Sequence, residues 1–425
     1  MIKRLFLDFF RVQVPLWLVA PILGITLMFG IGGGIVGARQ LTPSGECPES
    51  PEVCEGFGAF WQAWNIASEN FVDADAVDPR LMTEGAIRGM LDSLGDQGHT
   101  RFLSAEESAR WSESIAGSFE GIGAFIDVRD GQTVIVAPIE GSPAERAGIR
   151  AGDIILAVNG VSTENWTVEE LATNVRGPRG STVVLTVLHE GEQVPVDIEV
   201  RRDKIEVPSV SWTMLPDDVA LVRLTSFAQR SARELEAALI AAQEQGAEAI
   251  IFDLRDNPGG LVNEALGVAG QFLPRGSVVL VEEDRAGNRR PSRTRDEGAA
   301  QDISMVVLIN NNTASSAEIV SGALQEAERA EVIGVPTVGT GTVLSTFSLD
   351  DGGQLLLGTS QWLTPNGRLI RNQGIEPDVL IGLEPGVQSL SPSEAEELTR
   401  RELLRTDDTQ LLEAFEMLTT PTAQR

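Results

Sequence analysis

Residues 310–325 read NNNTASSAEIVSGALQ, and the reading of this stretch decides the fold. Before it comes MVVLIN (305–310), a short apolar run typical of a buried strand. After it a helix runs on through Ile319 and Leu324, so Ser315 stands at the helix mouth. Working outward, AIIFDLR (249–255) is another such run and leads into the Gly/Pro turn DNPGGL (256–261). VALVRLTSF (219–227) reads as a strand. Ser231, with Glu234 three residues on, reads as the cap of a helix to Gln245. TFSLDDGGQLLLGTSQWL (346–363) reads as a hairpin turning at Asp351-Gly352-Gly353. Strands alternating with helices give an α/β layout for 204–385.

Residues 116–203 read differently, as a compact β-rich unit. FEGIGAFI (119–126) opens it, VIVAPIEGSPAERAGIRAGDIILAVNG (134–160) fills it, and STVVLTVLHEGEQVPVDIEV (181–200) closes it. Asn159-Gly160 is a strong hairpin signal and Glu190-Gly191 a second, with a short helix at 168–175 between them. His189, beside the second turn, is expected at the solvent surface.

The net charge of −29 argues against binding to nucleic-acid phosphates or anionic lipid surfaces. Lysine occurs only at Lys3 and Lys204, and histidine only at His99 and His189, so every conventional base is countable. No charge interrupts Val14–Ala38, a length that spans a bilayer, and Lys3, Arg4 and Arg11 before it place the N-terminus in the cytoplasm. A cleaved signal peptide is the rival reading. Cys47 and Cys54 suit a small-loop disulfide outside the cytoplasm, or remain two free thiols. Helices are expected over 57–94, with Phe57, Phe60, Trp61 and Trp64 on one face, then Met82, Ile87 and Leu91. Ser104 and Glu107 have capping-box spacing.

Taken together, the 310–325 stretch, the NPGG turn and the PDZ-like GSPAERAGIRAGDIILAVNG resemble the C-terminal processing peptidases, PDZ-containing serine proteases related to tricorn and tail-specific proteases. The resemblance covers about 96–385 and implies a multidomain α/β fold. It comprises a ClpP/crotonase-like peptidase core with an inserted β-rich PDZ domain and an N-terminal transmembrane helix. The expected divisions are 1–40 (cytoplasmic stub and anchor), 41–110 (N-terminal helical segment of the core), 116–203 (PDZ), 204–385 (peptidase core) and 386–425 (acidic helical tail).

By this resemblance Ser315 is the nucleophile, and the N–H groups of Gly259 or Gly260 and of Ser316 form the oxyanion hole. NPGG is otherwise a plain strand-to-helix turn. The stretch Phe119, Glu120, Gly121, Ile122, Gly123 corresponds to the family's carboxylate-binding loop; the alternative is that its glycines only bend a strand. The family's catalytic Lys falls on Thr340, in the turn Gly339-Thr340-Gly341, and its Gln falls on Leu344. A threonine hydroxyl cannot take a proton from another hydroxyl near neutral pH. Tricorn-type relatives use a His from a motif resembling Gly98-His99-Thr100, which makes His99 a candidate base; a structural hydrogen-bonding role is its other reading. The carboxylate that orients that His falls here on Arg371 or Asn372.

Two functions follow as expectations. One is a membrane-anchored, extracytoplasmic serine endopeptidase that captures protein C-termini on its PDZ domain and cuts with Ser315. The other is an inactive pseudopeptidase that binds or scaffolds through the PDZ domain. Neither calls for a metal or other cofactor.

Overall fold

The computed structural model describes residues 50–96, 99–129 and 131–420. The expected span at 14–38 lies outside them, and among the described residues no helix is long and apolar enough to cross a membrane. The described residues up to Thr83 and those from Glu84 onward form separate compact units.

In the first unit, helix Pro51–Asn70 carries Phe57, Phe60, Trp61 and Trp64 as a run of edge-to-face and tilted rings, with centroids 5.1–6.0 Å apart between neighbours. Trp61 is 55% exposed. Cys54 is disulfide-bonded, and the chain's other cysteine, Cys47, lies outside the described residues.

The core of the second unit is a six-stranded sheet. Its spatial order is Val210–Leu215, Val219–Leu224, Ala249–Asp253, Ser304–Ile309, Glu331–Gly334 and Val379–Leu380. The first pair is antiparallel and the other pairs are parallel. Every residue of Ala249–Asp253 is buried, as expected of a parallel strand covered on both faces. Helices Ser231–Glu244, Val262–Phe272 and Ser316–Glu326 contribute to the core on one face. Ala395, Leu403, Leu411, Ala414 and Phe415 of the C-terminal segment fill the core on the other.

The Ser231 helix starts otherwise than its sequence suggests. Arg230, at φ 78°, is the N-cap, and Ser231 is the first helical residue. Glu264 of the neighbouring helix accepts from Ala232 N and Ser231 Oγ, satisfying donors that a local cap would have taken. Glu234 instead accepts from Ser209 N. The Ser104–Glu107 capping box is present as expected.

A second sheet joins Arg101–Leu103, Gln354–Leu363, Val278–Asp284 and Arg289–Arg293, with Thr342–Ser348 also paired to Gln354–Leu363. The hairpin turns where expected, Leu349 N donating to Gly353 O.

The β-rich unit is a sheet in the order Ala124–Arg129, Gln132–Pro138, Ile154–Val158, Thr182–Leu188, Val196–Arg201, closed by helix Val168–Val175. Its core includes Ile135, Ile155, Leu171, Leu185 and Val187. A ribbon of Ser118–Gly121 against Asp203–Glu206 forms its entry and exit. His189 is not at the surface: its side chain is 12% exposed, and Nδ1 lies 2.7 Å from Asp153 Oδ1. Asp153 is a buried carboxylate that needs a partner, which turn chemistry alone does not reveal.

Candidate active site

Loops at the C-terminal ends of parallel strands gather the candidate residues, the usual place for a site in an open α/β sheet. Strand Ala249–Asp253 leads into Asn257-Pro258-Gly259-Gly260, and strand Ser304–Ile309 leads into Ser315.

The first loop is pinned from below. Arg255 is fully buried between Asp253, which accepts from Nε and Nη2 at 2.9 Å, and Asp408, which accepts from Nη1 at 2.8 and 2.9 Å. Burial would lower the guanidinium pKa, but the two carboxylates outweigh it and raise it. Asn257, also fully buried, donates Nδ2 to Leu224 O (2.7 Å) and accepts at Oδ1 from Gly259 N (2.8 Å). Its carbonyl accepts from Ala314 N (2.9 Å). One residue, through its side chain and its carbonyl, thus ties the glycine loop to the segment that carries Ser315.

Ser315 has φ 57° and ψ −121°, a conformation costly for a residue with a Cβ, about 1–3 kcal/mol. Its backbone N–H, aimed by this turn, donates to Glu318 Oε2 (2.8 Å) and Thr340 Oγ1 (2.6 Å). Glu318 is fully buried and is the hub of the nucleophile side. Its Oε1 accepts from Thr337 Oγ1 (2.5 Å) and Gly339 N (2.6 Å), and its Oε2 also accepts from Thr340 N (3.0 Å) and Thr340 Oγ1 (2.7 Å). The Thr340 hydroxyl therefore donates to Glu318 and accepts from Ser315 N. It works as a structural bridge.

Gly259 presses against the nucleophile. At φ 91°, a Cβ there would lie 2.5 Å from Ser315 Cβ and 2.8 Å from Ser316 N, so only glycine leaves that space open. Its own N–H is engaged by Asn257. The N–H groups of Gly260 and Ser316 have no acceptor among the described residues. Ser316 Oγ donates to Gly260 O (2.9 Å), joining the two segments that carry these free donors.

His99 lies on the Thr342 side of the Gly339–Thr342 turn. Its Nδ1 is 2.5 Å from Thr342 Oγ1, two residues beyond Thr340. Among the described residues no hydrogen bond joins His99 to Ser315. Burial lowers the imidazole pKa, Asp96 acts to raise it, and Arg101 acts to lower it further. Arg371 approaches through its Nη2, 3.4 Å from Asp96 Oδ1, and Asn372 N donates to Gly339 O (2.8 Å). Lys204 lies in the ribbon, 3.7 Å from Glu206.

In the β-rich unit, Phe119, Ile122 and Gly123 line an apolar groove of about 310 Å³, together with Val168, Leu171 and Val175 of the helix. The carbonyls of Ile122 and Gly123 are taken by Ala144 N and Ile139 N, while their N–H groups have no acceptor among the described residues. Ala124–Arg129 is the sheet's edge strand and also lines the groove. Glu120 faces elsewhere, accepting from Arg179 N (2.9 Å). A Cβ on Gly121 would meet the Phe119 ring at 3.2 Å.

Comparison with known proteins finds matches in both the central α/β region and the β-rich unit. The peptidase family S41 pattern matches residues 218–381, and a PDZ domain pattern matches 134–188. The chain is 37% identical over 302 residues to the carboxy-terminal processing protease CtpA of Bacillus subtilis, covering 71% of this chain and 64% of CtpA. The chain joins a region matching peptidase family S41 to a region matching a PDZ domain, and it is homologous to the CtpA proteases. A probable CtpA-like serine protease of Staphylococcus aureus is 35% identical over 315 residues, 74% of this chain and 62% of that protein. The chain thus spans somewhat under two thirds of the curated relatives it matches. A candidate S41 protease from Bacteroides fragilis shares the fold, with TM-score 0.50 at 18% identity over 84% of this chain and 97% of that one.

Sequence reasoning missed Glu318, Asn257, Thr342 and Asp96. Glu318 had a signal, since Ser315 and Glu318 have capping-box spacing. Thr342 and Asp96 had none, because 246 residues separate them.

Proposed function

We propose that the chain is a serine endopeptidase of the carboxy-terminal processing type, with Ser315 as nucleophile, His99 as base, and Gly260 N and Ser316 N as oxyanion donors. The observation that carries this reading is the strained Ser315 at a helix N-terminus, beside two backbone N–H groups with no acceptor among the described residues. In acyl transfer, Ser315 Oγ attacks a peptide carbonyl while its proton passes to His99. The carbonyl oxygen gains negative charge and meets the two donors. His99 then protonates the leaving amine, and water repeats the sequence on the ester. Because no hydrogen bond joins His99 to Ser315 among the described residues, this reading requires the two to close together on a bound substrate.

Substrate enters through the PDZ domain. A free C-terminal carboxylate docks on the N–H groups of Ile122 and Gly123, and its chain adds to the edge strand Ala124–Arg129. The apolar groove selects an apolar terminal side chain. Residues 14–38 anchor the protein in the membrane, with the catalytic body outside the cytoplasm.

The pseudopeptidase reading has one observation in its favour: the Thr340 hydroxyl is fully committed to Ser315 N and Glu318 and cannot act as base. Incubating the protein with an unfolded polypeptide decides between the two. Cleavage by the wild type that Ser315→Ala abolishes supports the enzyme, and no cleavage by either supports the pseudopeptidase.

A further inference from the structure

The resemblance left the candidate base without an orienting carboxylate, since that position falls on Arg371 or Asn372. The structure supplies one from another direction. Thr342 Oγ1, 2.5 Å from His99 Nδ1, lies 3.2 Å from Asp96 Oδ2. A hydroxyl carries one hydrogen, and an ionised carboxylate can only accept. The Thr342 hydrogen therefore goes to Asp96, and its lone pairs face His99. Nδ1 must then carry the imidazole hydrogen, which leaves the Nε2 lone pair free.

Asp96 is itself held. Thr100 Oγ1 donates to Oδ2 (2.7 Å) and accepts from Gly358 N (2.9 Å), and Arg371 Nη2 lies 3.4 Å from Oδ1. This approach depends on glycine at 358, where a Cβ would lie 2.9 Å from Asp96 Oδ2 and 3.0 Å from Thr342 Cβ. Gly358 sits at a register shift between Thr342–Ser348 and Gln354–Leu363, a bulge that brings the Thr342 hydroxyl and the Asp96 loop together.

We infer that Thr342 and Asp96 are positioning residues that hold His99 in the Nδ1–H form with Nε2 turned to the reaction. The inference rests on the reading of His99 as base. In the first step the Ser315 hydrogen moves to Nε2 as the Oγ–carbon bond forms, giving an imidazolium. Its positive charge is met through Thr342 by the Asp96 carboxylate. When the leaving amine takes the Nε2 proton, the Nδ1–H form is restored. Arg101 and Arg371 are the opposing charges, the first acting on His99 and the second paired with Asp96; Glu107 acts on Arg101.

Imidazole ¹⁵N NMR tests this without turnover. The chain has two histidines, so a His189→Gln variant assigns both sets of signals. The expected wild-type pattern for His99 is the Nδ1–H tautomer. Thr342→Val should release it to a mixture with Nε2–H, and Thr342→Ser should restore the wild-type pattern. Asp96→Asn should lower the pH at which His99 titrates, because the carboxylate that favours the charged ring is gone. In cleavage assays, Thr342→Val should lower kcat/KM by about tenfold or more, with Thr342→Ser near wild type. A wild-type Nε2–H tautomer, or a His99 titration unmoved by Asp96→Asn, overturns the inference. Failure of the base reading looks different: His99→Ala then cleaves as well as wild type, whatever the tautomer.

Discussion

The nucleophile side and the base side of the candidate centre are built differently. Ser316–Leu324 is buried at every residue, and Glu318 within it takes five donors from Ser315, Thr337, Gly339 and Thr340. His99 is only partly buried, and its ring is held by one side chain from a separate segment, Thr342, and through it by Asp96, three residues before His99. On one side the reactive geometry is backbone geometry, enforced by the fold's own core. On the other it is a chain of side-chain hydrogen bonds that one substitution can break. A fold of this kind can lose or exchange its base while keeping its nucleophile turn intact. Thr340 illustrates the point: it stands where the resemblance places a lysine, yet it completes the Glu318 network instead of disrupting it.

If the nucleophile side is structural throughout, Glu318→Ala should have the largest effect. It leaves four buried or half-buried donors without an acceptor, Ser315 N keeping only Thr340 Oγ1, a loss of about 3–5 kcal/mol of stability. Chemical denaturation reads it, and cleavage should fall with it because the Ser315 turn relaxes. A variant as stable as wild type would show that the Ser315 turn is held by something other than this hub.

The base side should show itself in pH dependence. The imidazole must be neutral to accept a proton, and burial lowers its pKa below the ordinary value near 6.5. Activity should therefore hold from neutral pH down past that value, then fall about tenfold per pH unit below the folded pKa. An acid limb well above 6.5 would point to a different base.

The smallest effect belongs to neither side of the centre but to the PDZ groove. Amidating the C-terminus of a bound peptide should weaken binding by about tenfold, since the Ile122 and Gly123 N–H groups lose a charged acceptor. Equal affinities by calorimetry would move recognition away from that loop.

The difference between the two sides also explains what the sequence revealed. Buried parallel strands announce themselves as apolar runs, and MVVLIN and AIIFDLR both lie in the central sheet. The Asp351–Gly353 turn and the Ser104 cap are local chemistry and were equally legible. Ser231 was misread as a cap because its helix start is satisfied by Glu264 from a neighbouring helix, a partner that spacing cannot show. His189 was misread for the same reason, its partner Asp153 lying 36 residues away. The choice between Gly259 and Gly260 was open in sequence. It turns on the Asn257 side chain, which occupies the Gly259 N–H.

The most direct test of the account is His99→Ala assayed beside Ser315→Ala on an unfolded protein substrate. A nucleophile and its base act as one unit, so both variants should fall by about a thousandfold or more, to the same residual rate. Wild-type cleavage that survives His99→Ala but not Ser315→Ala would contradict the assignment of His99 as the base.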